Sequence, residues 1–232
     1  HALPVPTING PSPVCENSTL NVYLTEPGNT NYLWTVSGGG AVSSGGTVND
    51  NQVVVSWNTT LAQTVRVNYT DIHGCTALSP TIKNITVNAL PIPTVLGPTS
   101  ICELSTGNVY TTQPGKSVYN WQLSPGAIVT AGGLATDNTV TITWSTPGAK
   151  TVAVSYNDIN GCTGTSAPLA VTVNPLPLPV IAGAAGVCQS LTGNLYSTAA
   201  GMTNYNWGIS GGTITSGIGT ANIEVTWNTP GA

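Results

Sequence analysis

Five cysteines are the residues of this chain best suited to covalent chemistry, and their spacing is regular. Cys15, Cys102 and Cys188 stand 87 and 86 residues apart, and Cys75 and Cys162 are again 87 apart. Cysteines at fixed positions in a weakly charged chain read as disulfides formed in an oxidising compartment. The expected bonds are Cys15–Cys75 and Cys102–Cys162, each spanning 60 residues, which leaves Cys188 without a partner in the chain. Closing such a loop stabilises a domain by about 4 kcal/mol in the chain-entropy picture. A simple strand count, however, puts the two cysteines of one repeat at opposite ends of a sandwich. A bond between neighbouring repeats, such as Cys15–Cys162, is therefore the alternative. Zinc requires clustered Cys and His ligands, whereas His1 and His73 are isolated.

The eight acids, Glu16, Glu26, Asp50, Asp71, Glu103, Asp137, Asp158 and Glu224, form no motif pair. Glycoside hydrolysis needs two facing carboxylates, and no base recurs near any serine, so no catalytic residue is assigned and the chain is not expected to be an enzyme. Asp71 and Asp158 recur in "DIHGC" and "DINGC", where a carboxylate caps a turn through its own backbone. No cofactor is expected, with calcium at these acids as the alternative. The Gly-rich stretches 37–46 and 130–138 are not followed by a helix start, so they read as hairpin turns and not phosphate cradles.

Six tryptophans repeat with the cysteines: Trp34, Trp121 and Trp207, then Trp57, Trp144 and Trp227. Each falls on the face of an alternating segment that also carries Val, Ile or Tyr. Tyr32, Trp34 and Val36 share a face, as do Val53, Val55 and Trp57, and Val65, Val67 and Tyr69. Tyr156 stands where Tyr69 does. The expected role of these six indoles and two phenols is core packing; stacking against sugar is the competing use.

Period-two alternation throughout, without helical spacing, predicts an all-β chain of antiparallel sandwiches. The period of about 87 residues suits one immunoglobulin-sized sandwich. Boundaries are expected at 1–88, 89–174 and 175–232. "HALPVP", "NALPIP" and "NPLPLP" open the three repeats. Their alternating prolines lack ladder donors, so each is an edge or a stiff connector, and the repeats are expected to form a head-to-tail rod. The third repeat stops at "WNTPGA", matching "WSTPGA" of the second, so its last two strands have no counterpart. Either the chain is a piece of something longer or another chain donates the missing strands.

With Arg66, Lys83, Lys116 and Lys150 as the whole basic complement and a net charge of -4, there is no electrostatic footprint for nucleic acid or anionic membrane. No apolar run is long enough to span a bilayer.

"NYLWTVSGGG", "VYNWQLSPGA" and "NYNWGISGGT", followed by "VSWNTT", "ITWSTPGA" and "VTWNTPGA" and then by "YTDIHGC" or "YNDINGC", resemble the PKD-like repeats of giant Bacteroidetes surface proteins. The resemblance implies tandem immunoglobulin-like (PKD-like) sandwiches strung in arrays on the cell surface, often in adhesins. Relatives with an acidic turn after the first Trp are linked to calcium, but the corresponding residues here are "WTVSGG", "WQLSPG" and "WGISGG". The expected function is a stiff stalk in an extracellular filament or adhesin, whose partners are neighbouring copies of the same repeat. The alternatives are an accessory carbohydrate-binding or spacer module of a secreted polysaccharide-degrading enzyme, and a subunit that assembles by donor-strand completion.

Overall fold

A computed structural model describes residues 1–231, and all of its regular elements are strands. The chain divides into two compact units, His1–Pro175 and Leu176–Ala232.

The first unit holds two sandwiches of one plan. In the first repeat, β1 (Val14–Cys15), β2 (Ser18–Leu24), β3 (Thr30–Val36), β4 (Gly40–Gly45), β5 (Gln52–Trp57), β6 (Gln63–Thr70), β7 (Thr81–Ile85) and β8 (Val87–Asn88) follow in order. Sheet β2-β5-β4 faces sheet β3-β6-β7, and β1 lies parallel to β8. The second repeat repeats the order with β9 (Ser100–Cys102), β10 (Asn108–Thr111), β11 (Ser117–Leu123), β12 (Ala127–Gly132), β13 (Thr139–Trp144), β14 (Gly148–Asn157), β15 (Thr163–Thr165) and β16 (Leu169–Asn174). Its sheets are β10-β13-β12 and β11-β14-β16-β9, with β15 added on β14.

Valine and tyrosine at alternate positions build both cores, since successive side chains of a strand face opposite ways. Tyr23, Val53, Val55 and Trp57 of one sheet meet Val65 and Ile85 of the other in the first repeat. Tyr110, Val140, Ile142 and Trp144 meet Val152, Val154, Tyr156 and Val171 in the second. Tyr69 and Tyr156 are buried and each sits edge-on to a second tyrosine, Tyr32 and Tyr119.

The tryptophans divide into two kinds, which corrects the expectation that all six lie in the core. Trp57 and Trp144 have no exposed surface. Trp34 and Trp121 pack against the cores from their edges and remain partly exposed. Their indole N–H groups donate across to the β4–β5 and β12–β13 turns, at Asp50 O (2.8 Å) and Asp137 O (3.1 Å). They tie one sheet to the hairpin of the other.

In the second unit, β17 (Ala182–Gly183), β18 (Asn194–Ser197), β20 (Asn222–Trp227) and β19 (Gly212–Ser216) make one sheet in that order. Trp207, expected on an alternating strand, lies with Tyr205 and Ile209 in a segment that forms none. In the other repeats this segment pairs with β6 or β14, and the 232 residues hold no third copy of that strand. For the same reason Trp207 and Trp227 are partly exposed. A cleft of about 330 Å³ lies open beside Tyr196 and Trp227.

Candidate functional site: the junction between repeats

The N-terminal strand of the first repeat places Cys15. The N–H groups of Val14 and Glu16 donate to Thr86 O and Asn88 O at 2.9 and 2.8 Å. Pro13 falls on the alternate register, where a missing donor costs no ladder bond. Parallel pairing sets Cys15 opposite Asn88, the residue just before the connector. The first cysteine is thus carried to the exit end of its own repeat.

The turn after β14 places Cys162. Asp158 Oδ1 accepts from the N–H groups of Asn160 and Cys162, both at 2.9 Å. Asp158 N donates to Cys162 O at 3.0 Å, which closes the turn. Beyond it, Gly164 is buried under the connector: a Cβ there would lie 2.0 Å from Pro91 O. Only glycine lets the two backbones approach so closely. The connector therefore runs over the entry end of the second repeat, beside Cys162.

The two cysteines meet there. Cys15 and Cys162 form a disulfide across 147 residues, with Cα atoms 5.6 Å apart, and Cys162 is wholly buried. This corrects the intrarepeat pairs Cys15–Cys75 and Cys102–Cys162. The physical reason is the parallel β1–β8 pairing, which takes the first cysteine to the end of the sandwich opposite its own turn. Cys75, Cys102 and Cys188 are free thiols in the chain.

A second clasp holds the first two connectors to the repeats they enter, whereas the third repeat has Ala199 at the equivalent place. Glu26 accepts from Thr7 N (3.1 Å), Thr7 Oγ1 (2.6 Å) and Thr25 Oγ1 (2.7 Å). Partial burial pushes its pKa up, but these donors outweigh burial and bring the carboxyl from its ordinary 4.5 to about 2. Burial, and next the Glu26 charge, push the nearby Tyr69 hydroxyl up to about 12. In the second repeat Gln113 takes the same place without charge. Its Oε1 accepts from Thr94 N at 3.1 Å, and its Nε2 donates to Thr94 Oγ1 at 2.8 Å. Sequence reading left Glu26 among scattered acids; the signal was its recurrence as Gln113 in "TEPG" and "TQPG".

Asp71 and Asp158 both cap their turns as expected. His73 stacks on His1 with ring centroids 3.9 Å apart. Among the described residues no three His, Cys, Asp or Glu side chains converge to hold a metal, and no helix is long and apolar enough to cross a membrane. The junction is a structural site, in which covalent and hydrogen-bonded links fix one domain on the next.

The sequence matches the model of the PKD-like domain family three times, over residues 2–85, 88–173 and 174–232. The chain belongs to the PKD-like domain family. No curated protein matches it. Among solved structures, a marsupial T cell receptor is 10% identical over 97% of this chain and 94% of its own, with a TM-score of 0.40. Invasin, a bacterial integrin-binding protein, is 13% identical over 97% of this chain and 54% of its own, with a TM-score of 0.36. The fibronectin(III)-like modules of Clostridium thermocellum CbhA are 12% identical over 74% of this chain and 95% of theirs, with a TM-score of 0.33.

Proposed function

We propose that the chain is a load-bearing spacer in an extracellular bacterial filament or surface adhesin, with neighbouring copies of the same repeat as its partners. The observation that carries this reading is the Cys15–Cys162 disulfide between repeats. Such a bond persists in an oxidising compartment and is out of place in a reducing cytosol. It also changes the path of force. Tension entering before Cys15 crosses the sulfur bridge to Cys162, so residues 16–161, with the strands from β2 to β14, carry no stretching load, while β16 with its core residues Val171 and Val173 stays in the path. The low charge supports close lateral packing without long-range repulsion. Trp57 and Trp144, fully buried, have no face to offer a sugar.

Antibody labelling and thiol trapping on intact producing cells test the assignment together. We expect antibody to reach the chain on unpermeabilised cells, with Cys15 and Cys162 refractory to iodoacetamide until a reductant is added. A chain reached only after permeabilisation, with both cysteines alkylated directly, contradicts it.

A further inference from the structure

Cys75 and Cys102 are free, yet each stands in the geometry of a bonded cysteine one repeat away. Cys75 ends a turn in which Asp71 Oδ1 accepts from the N–H groups of His73 (2.9 Å) and Cys75 (2.8 Å). Asp71 N donates to Cys75 O at 2.9 Å. These are the bonds that Asp158 makes around Cys162. Beside that turn, Pro6 O accepts from Thr81 Oγ1 at 2.6 Å. The connector of residues 1–6 thus lies along the Cys75 end of its repeat, as Pro91 lies over Gly164. His1 occupies the sequence position of Asn88, the residue against which β1 pairs at the observed junction. This end is a junction with its receiving half in place.

Cys102 shows the donating half. It lies in β9, parallel to β16 and opposite Asn174, with Glu103 N donating to Asn174 O at 2.8 Å. Glu16 N makes the same bond to Asn88 O at 2.8 Å. Cys102 is exposed, and its partner in the register, Asn174, is the residue just before the connector of the third repeat.

We propose that the first cysteine of each repeat bonds to the turn cysteine of the repeat that follows it, so that Cys75 receives the first cysteine of a PKD-like repeat on its N-terminal side. By the same register Cys102 donates to a turn cysteine of the kind that closes "DIHGC" and "DINGC". The occupant at Cys75 is a repeat of the same polypeptide, entering through residues 1–6. Successive loops then overlap, because the loop from Cys15 to Cys162 already encloses both Cys75 and Cys102. A force path that uses the bridges passes from Cys162 to Cys188, 26 residues, before it meets the next donating cysteine.

Each bond forms by thiol–disulfide exchange with a disulfide oxidant such as oxidised glutathione. The thiolate of one cysteine attacks the oxidant and releases one glutathione thiolate. The second cysteine then attacks the mixed disulfide and releases the other. Two thiols lose two protons and two electrons in all, one protein S–S bond forms, and one oxidant disulfide is reduced to two thiols.

The proposal rests on the junction geometry and not on the stalk reading: it needs an oxidising environment, which the test supplies, but no particular role for the array. Its test is the full chain preceded by a second copy of residues 1–87, oxidised in a glutathione buffer, alkylated and mapped without reduction. We expect two bonds, from the added copy's first cysteine to Cys75 and from Cys15 to Cys162, with alkylation of Cys75 falling from complete to background. Changing the added copy's first cysteine to serine should restore alkylation at Cys75 and leave Cys15–Cys162 formed. The proposal is overturned by a Cys75 that stays alkylatable beside an intact Cys15–Cys162 bond, by Cys75 bonded to Cys15 of its own repeat, by dimers linked through Cys75, or by loss of the Cys15–Cys162 bond itself.

Discussion

The first and second repeats carry the same turn with the same aspartate cap, yet Cys162 is bonded and buried while Cys75 is a free thiol. Because the aspartate caps match in their backbone bonds, the difference lies in what adjoins the turns. The second repeat has a neighbour whose β1 delivers a cysteine to its entry end; the described residues give the first repeat none. Pairing here belongs to the junction between domains, and a single repeat holds only half of it.

The largest effect expected from this contrast is in the cysteines themselves. Cys15→Ser should remove up to about 5 kcal/mol of stabilisation, the chain-entropy value for a loop of 147 residues. Cys75→Ser should change stability by less than about 0.5 kcal/mol. Denaturant melts of the two variants without reductant separate them; equal losses would show that the bridge is not the linkage that matters.

The connector seats differ by one carbon. Gly164→Ala places a methyl carbon within 2.0 Å of Pro91 O and must push the connector off; it should cost about 1–3 kcal/mol and slow formation of the Cys15–Cys162 bond. Ala77, at the equivalent place in the first repeat, borders a cleft of about 280 Å³ beneath Leu3 and Pro4. Ala77→Gly should cost less than about 1 kcal/mol, mostly through chain entropy. Thermal melts and oxidation time courses of both variants check the pair.

A smaller difference sits in the edge bulge before the first tryptophan. Asn31, Val118 and Asn204 all have positive φ, at 52°, 54° and 58°. Asparagine tolerates this region and valine does not. Val118→Asn should therefore stabilise the second repeat by about 1 kcal/mol, while Asn31→Val should destabilise the first by a similar amount, both read from melting midpoints.

The smallest is a pH dependence confined to the first repeat. Glu26 has a folded pKa of about 2 against its ordinary 4.5, so the unfolded chain takes up its proton first as pH falls. Its contribution is complete above about 4.5 and is lost as pH drops toward about 2. Glu26→Gln, the residue used at position 113, should flatten this part of the acid-unfolding profile; an unchanged profile would remove Glu26 from the clasp.

Much of this was legible before any coordinates. Strand faces follow from period-two spacing, so Trp57, Trp144, Tyr69 and Tyr156 were identifiable as core residues, and the repeat of cysteines and connectors gave the tandem β architecture. The disulfide partner was not, because the sequence does not state that β1 runs parallel to β8 in an otherwise antiparallel sandwich. That orientation decides to which end Cys15 is carried. Nor does local spacing distinguish Trp57 from Trp34, since both share a face with valine. The distinction comes from position in the sheet: β5 is flanked on both sides by β2 and β4, whereas Trp34 reaches out to the backbone of the β4–β5 turn.

Single-molecule extension from the two termini addresses the shielding of residues 16–161 most directly. With Cys15–Cys162 intact, residues 16–161 should not lengthen under load. Cys15→Ser should release them, adding about 500 Å of contour from 147 residues at roughly 3.5 Å each. The same total extension in both proteins would contradict a junction through which force bypasses the domains.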